Sequence, residues 1–436
     1  MEELWRRQLQ TGSGRGSQWN TRWVFKPMML GMQVCGLTFT SHVQSGISGL
    51  SVSLVYFTGV FVLLWANFLR YFVTYNYNEV LGPNFLQKVF VHFVHGLGAM
   101  SIIAYIPLAR KCQDLTADFE SYCDKYQCWS KPRQIKRRKL QVIVLVVCAV
   151  SICLQMFIIV LKIHFLIPCS LMIDMHFKGI LDMNDSIPVM WEVILLVIVF
   201  YNAAAVVFAV GYILLVALML AEEFRSHASD MQTLVKNSAG LSHNLEYLRL
   251  RFRDLSKLTR CADKVFSVFT LIIYVSDILI CCFVIYISIH VRMEQDFLIQ
   301  MTSTFIPSFL AFLFQLVILT YGGTVLNHAV SILRFNRLAF DLQANSSKEI
   351  LYYADLSRQD WNVGYALQYS TFLAELREDR IGLSAWNLFY INQATVKTVV
   401  LMIVTYSVIL LKFGNNEDAP IYAHHVTQSA NLTSSI

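Results

Sequence analysis

Two stretches of this chain, residues 193–221 and 297–333, contain no Asp, Glu, Lys or Arg. A helix needs about 20 such residues to cross the hydrocarbon core of a bilayer. Residues 51–69 and 141–161 are likewise free of formal charge. Composition agrees: 56% of residues are apolar and 15% charged, against about 45–50% and about 25% in soluble domains. The sequence therefore specifies an all-α polytopic membrane protein, with the lipid bilayer as its first partner.

Seven transmembrane helices are predicted, over 51–73, 85–109, 140–167, 189–221, 265–290, 299–322 and 393–413. An apolar patch at 25–40 precedes them, but Lys26, Pro27, Gly31, Gln33 and Gly36 break it. Such a short, interrupted run suits an interfacial or re-entrant segment. Counting it as an eighth span moves only the N-terminus to the other side. The first residues lack the apolar core and small-residue site of a cleavable signal peptide.

Lysine and arginine in the loops set the orientation. Taken alternately from the N-terminus, the loops carry 28 on one side and 2 on the other. That places the N-terminus in the cytoplasm and the C-terminus outside. The layout is then a cytoplasmic N-terminus with the interfacial segment at 1–50, six helices within 51–322, and cytoplasmic anchor helices at 323–392. The seventh helix, 393–413, and an extracellular tail, 414–436, complete it. Two outside sequons, at Asn184 and Asn431, are candidate glycosylation sites, while Asn345 falls inside. Cys169 is the only cysteine placed outside, so no extracellular disulfide is available, and no Cys or His spacing indicates a metal or other cofactor.

The cytoplasmic segments carry long amphipathic patterns. Leu241, Leu245, Leu248, Phe252, Leu255 and Leu258 recur at near-heptad spacing, and Trp361, Tyr365, Tyr369, Phe372 and Leu376 share one helical face. These helices either pack on one another or lie on the inner leaflet, or they form a bundle through which subunits associate. The outside loops are short, so a ligand must enter among the helices.

The last span differs from the rest. Lys397, Leu401, Thr405, Val408 and Lys412 lie four, four, three and four residues apart, which puts a lysine at each end of one stripe and a hydroxyl between them. Lipid on all sides gives such a stripe no role; a water-filled path does. Elsewhere, Asp277 stands at the middle of the fifth span, where a carboxylate is either functional or hydrogen-bonded inside the bundle. Polar or aromatic groups in the outer halves of the spans are candidates for binding a small molecule: His92, His95, Gln155, Trp191, Glu192, Tyr286 and Phe305. Each aromatic is equally able to serve as packing or as a membrane-interface anchor. Pro307 and the pair Gly322-Gly323 mark a kink or hinge in the sixth span.

Other function classes fit the chain less well, with a G-protein-coupled receptor or a membrane transporter as the more distant alternatives. An enzyme needs a catalytic cluster at one depth, and none is present. A G-protein-coupled receptor has the opposite orientation and Asp-Arg-Tyr and Asn-Pro-x-x-Tyr signatures absent from the ends of spans 3 and 7. A secondary transporter shows paired repeats, and these spans do not divide into halves. Nothing in the chain points to nucleic acid.

The run Thr405-Tyr406-Ser407-Val408-Ile409-Leu410-Leu411-Lys412-Phe413 resembles the final-helix signature of the insect gustatory receptor family, TYhhhhhQF with h hydrophobic. It matches at Thr405, Tyr406 and Phe413, departs slightly at Ser407, and replaces Gln by Lys412. Upstream, Leu383-Ser-Ala385-Trp-Asn387-Leu388-Phe389-Tyr-Ile391-Asn392 is similar to the family's FxAxGLFxLN-like approach, with Asn387 where Gly is usual. Gly36-Leu37 resembles its N-terminal Gly-Leu piece. The resemblance implies a tetrameric, ligand-gated cation channel in the plasma membrane of gustatory neuron dendrites, its subunits alike or mixed. It implies a pore lined by the seventh helix, with Thr405, Tyr406, Val408, Ile409, Lys412 and Phe413 as pore or gate residues. The family's sugar receptors carry Glu directly after the Thr-Tyr pair, so Ser407 implies a bitter or other non-sugar tastant. Insect odorant receptors share this architecture and are the nearest alternative.

Overall fold

The computed structural model describes residues 22–37, 47–74, 83–126, 128, 131–161, 189–236, 241–290, 306–353, 371–372, 374–375 and 381–417. Among them are α1 (Arg22–Val34), α2 (Ile47–Thr74), α3 (Pro83–Lys125), α4 (Lys131–Leu161), α5 (Val189–Lys236), α6 (Leu241–His290), α7 (Ile306–Tyr353) and α8 (Gln393–Glu417). The helical membrane fold read from the sequence is therefore the observed one. Four of these helices, α4 to α7, contain segments long and apolar enough to cross a membrane. Shorter apolar helical segments lie at Leu54–Arg70, His92–Ile106 and Gln393–Ile409. One element is not helical: Ser384–Ala385 (β1) and Phe389–Tyr390 (β2) form an antiparallel hairpin.

The core is built around α5. Its Ala203, Ala204, Ala205, Ala209 and Ala217 are buried, and their small side chains admit α3, α4 and α7 to close approach. Tyr105 of α3 donates to the Ala205 carbonyl at 2.8 Å. The Gly322-Gly323 pair belongs to the same packing. α7 runs unbroken through it, so the pair does not end the helix. A Cβ on Gly322 would stand 3.2 Å from Leu214 of α5, and one on Gly323 would overlap Ile391.

At thirteen residues, α1 is too short to span a bilayer. It wedges Phe25, Met28 and Met32 into the bundle while Leu30 and Val34 remain exposed. Phe25 meets Phe119 and Tyr212 with ring centroids 5.8 and 5.9 Å apart. Gly36, at φ 65°, ends the segment, and the Leu37 N–H returns to the Met32 carbonyl at 2.8 Å. Only glycine enters that left-handed conformation without strain.

Beyond the apolar segments, α3 to α6 continue as a second bundle. The near-heptad residues Leu248, Phe252, Leu255 and Leu258 are buried there, and Phe252 packs on Phe224, His227 and Phe372. Of the two readings of this pattern, packing within the subunit accounts for those residues. Trp361, Tyr365, Tyr369 and Leu376 lie outside the described residues. Buried charges bind the bundle together: Arg137 of α4 pairs with Glu223 of α5, which also faces Arg251 of α6 at 3.8 Å.

Candidate pore helix and ligand groove

α8 begins on a reciprocal cap. Asn392 Oδ1 accepts the Thr395 N–H at 3.0 Å, and Thr395 Oγ1 accepts the Asn392 N–H at 3.1 Å. The hairpin just before it is fastened to α6. Asp263 accepts both the N–H and the hydroxyl of Ser384, at 2.5 and 2.9 Å, and the Trp386 N–H reaches the Ser267 carbonyl at 3.1 Å. Trp386 and Asn387 at the tip have φ of 47° and 59°. Asparagine tolerates that region, which explains how Asn387 stands where the similar family motif carries glycine. Trp386 has no such tolerance, so the fastened hairpin holds it in place. Burial pushes the Asp263 carboxyl above the ordinary range, partly offset by the hydrogen bonds from Ser384.

From there, among the described residues, α8 touches its own subunit along a single seam. Thr395, Val399, Ile403 and Ser407, four residues apart, are its buried positions. Cys282 of α6 meets the Ile403 carbonyl at 3.8 Å, and Ser407 turns its hydroxyl onto that carbonyl at 2.6 Å. At about 100° per residue, Lys397, Leu401, Thr405, Val408 and Lys412 fall on the opposite side, and all five are exposed. Tyr406 and Ile409 are exposed beside them. Phe413 belongs to the helix, but its side chain lies outside the described set. The spacing in the sequence thus located a face that the subunit leaves unpartnered.

A groove of about 740 Å³ opens between α4, α5 and α7. Val144, Val147, Leu154, Phe157 and Ile158 form one wall and Leu310, Phe314 and Val317 another, with Val207, Val210 and Gly211 at the base. Its polar groups are few: Gln155 and Ser151 of α4 and Gln315 of α7. Ser151 is engaged with the Val147 carbonyl at 2.7 Å. Gln315 is buried, and its Nε2 has no hydrogen-bond partner among the described residues. An apolar wall with a free donor suits a small, largely apolar molecule carrying an acceptor.

Among the sequence-predicted ligand residues whose side chains the structure describes, Gln155 alone is placed at this groove. His92 packs on Phe68 and Phe72, with ring centroids 4.6 and 4.2 Å away. His95 and Asp277 are buried elsewhere in the bundle. The scatter has a physical reason: a shared depth does not give a shared face. Trp191, Glu192 and Tyr286 lie in α5 and α6 with side chains outside the described set, and Phe305, Asn184 and Asn431 lie outside it altogether. Gln315 was missed because nothing in a uniformly apolar span distinguishes a groove-facing amide from one paired inside.

These features define the class, a polytopic helical membrane protein with an apolar groove among its helices. Among the described residues no cluster of His, Cys, Asp or Glu is able to hold a metal. A family model described as 7tm chemosensory receptor matches residues 25–417, and the chain belongs to that family, which is one of receptors and not of enzymes. The fold is similar to that of the insect olfactory receptor OR5 from Machilis hrabei, both in complex with eugenol and without it. Each comparison has a TM-score of 0.68 at 13% identity and covers 90% of this chain and 98% of that one. No curated protein matches the chain in sequence.

Proposed function

We propose that this chain is a gustatory-type subunit of a tastant-gated cation channel in the plasma membrane, assembled as a tetramer around α8. The observation that carries the reading is the exposed stripe of α8. A 25-residue helix joined to its subunit by one seam, with Lys397, Thr405 and Lys412 on the far side, is arranged to be completed by other copies around water. The groove between α4, α5 and α7 takes the tastant, a non-sugar molecule on the reading of Ser407. Gln155 and Gln315 supply the polar contacts. Asn184 and Asn431 carry glycans on the outer side, and the receptor resides in the dendrite of a gustatory neuron.

In this assembly Lys412 decides how the channel conducts. Four ammonium groups around one axis repel cations, so a homotetramer conducts poorly and works with partner subunits that supply a neutral side chain. Expression alone and with co-receptors, with currents recorded under a tastant panel, tests this. Lys412→Gln raises homomeric cation current severalfold, and Gln315→Leu weakens the ligand response without changing the maximal current. Equal homomeric currents in wild type and Lys412→Gln remove the pore role of Lys412. A response that requires a G protein removes the channel reading. The fold shared with an olfactory receptor supports a second reading, an odorant receptor, which a response to volatiles and none to dissolved tastants would establish.

A further inference from the structure

We propose that the interior seam between α3, α5 and α6 binds a small monovalent cation at Asp277. The site goes beyond the tastant groove and the pore helix, since Asp277 lines neither. Asp277 is 0% exposed, and neither carboxylate oxygen has a hydrogen-bond partner among the described residues. A carboxylate at the depth of the bilayer core is among the costliest groups to bury without a counter-charge. The three helices offer none there: residues 89–109, 193–221 and 265–290 contain no Lys or Arg. The titratable groups nearest Asp277 are Tyr274 and Cys281 of its own helix, with Tyr274 turned to Thr320 of α7; α3 contributes the buried His95 and Tyr105.

Two aromatic pairs fix which parts of α3 and α6 meet. Phe93 packs on Phe283 at 5.6 Å and Tyr105 on Phe269 at 6.1 Å. Asp277 lies midway between the α6 members, and Gly98 and Ser101 lie midway between those on α3. α5 enters the same level through Asn202. Its Nδ2 donates to the Val94 carbonyl at 3.2 Å, which turns Oδ1 toward Gly98, where a Cβ would overlap it. Asn202 Oδ1 and Ser101 Oγ are buried and, like the carboxylate, have no partner among the described residues.

By the register of the helices, one level of the bundle thus collects a carboxylate, an amide oxygen and a hydroxyl oxygen, with Gly98 giving the amide room to enter. Oxygen donors are the ligands of hard cations. One negative charge balances one positive charge, which favours sodium over a divalent ion. The near-complete burial of all three groups leaves no room for an organic amine. α6 holds α8 on its other side, at Cys282, so occupancy here stiffens the helix against which the exposed one rests.

The test is thermal unfolding of the full-length protein in lipid nanodiscs, in sodium chloride and in choline chloride of equal ionic strength. The wild type melts higher in sodium, with a saturable concentration dependence. Asp277→Asn abolishes that increment, and Ser101→Ala raises the half-saturating sodium concentration about tenfold, the effect of losing one modest ligand. If Asp277→Asn does not fold, Ser101→Ala carries the test. Equal wild-type melting in the two salts overturns the proposal, because a proton then neutralises Asp277. A sodium increment that survives in Asp277→Asn overturns it as well. The readout requires no current, so it succeeds or fails apart from the channel assignment.

Discussion

α5 and α8 are both apolar helices of one chain, and their surroundings could hardly differ more. α5 is enclosed by α1, α2, α3, α4, α6 and α7 and carries most of the buried alanines among the described residues and, at its far end, the buried Glu223 and His227. α8 rests on α6 along four residues and leaves Leu401 65% exposed. The first helix is finished within the subunit and the second is not. Hydrophobicity alone does not separate the two roles; the breadth of the buried face does. Substitutions in α5 should therefore register as stability, and those on the outer face of α8 as assembly and conduction.

The largest effect is expected at Glu223. Glu223→Gln removes the buried carboxylate that pairs with Arg137, while Arg251 keeps Asp230 at 2.5 Å, and breaking such a buried pair costs about 3–5 kcal/mol. A large drop in melting temperature and in yield of folded protein checks it. Gly211→Leu comes next. A Cβ at Gly211 already overlaps Cys148 and stands 2.7 Å from Met28 Cε, so the larger side chain separates α5 from α4 and α1 at about 3 kcal/mol.

His227 gives the enclosure a pH signature. Desolvation by burial, reinforced by Arg251, pulls its pKa down from 6.5 to about 3. Between those values the unfolded chain binds a proton that the folded chain does not, so stability is complete above pH 6.5 and declines as pH falls. From pH 7.5 to 5 the loss is about 2 kcal/mol. Melting curves across that range should show it, and His227→Phe should flatten it.

The smallest effect on stability belongs to α8. Leu401→Ala on its open face should change subunit stability by no more than about 0.5 kcal/mol, yet shift oligomer yield or conductance. If it destabilises the subunit as strongly as the Gly211 substitution, the contrast between the two helices fails.

Much of this was legible in the sequence. Charge-free runs announced the membrane helices because the bilayer imposes a length that no local interaction alters. The open face of α8 was legible because a polar stripe at helical spacing in an apolar span requires a reason. The groove was not, since its walls come from helices more than a hundred residues apart and only contact reveals which faces converge. Asp277 drew notice by type, while Asn202 and Ser101, which share its level, are ordinary polar residues in sequence. The packing role of the Gly322-Gly323 pair was hidden because the sequence does not reveal the neighbours that its missing side chains admit.

The fastening of α8 has a mechanical consequence. Its first turn is clamped by the Asn392–Thr395 cap and by the hairpin held to Asp263, whereas the last described seam contact, Ser407, lies well short of the helix's far end. The helix is a cantilever about 37 Å long, at 1.5 Å per residue. A tilt of about 5° at the clamp would swing its free tip by about 3 Å, and in the proposed assembly a ring of such beams would widen like an iris from the tip while its base stays still.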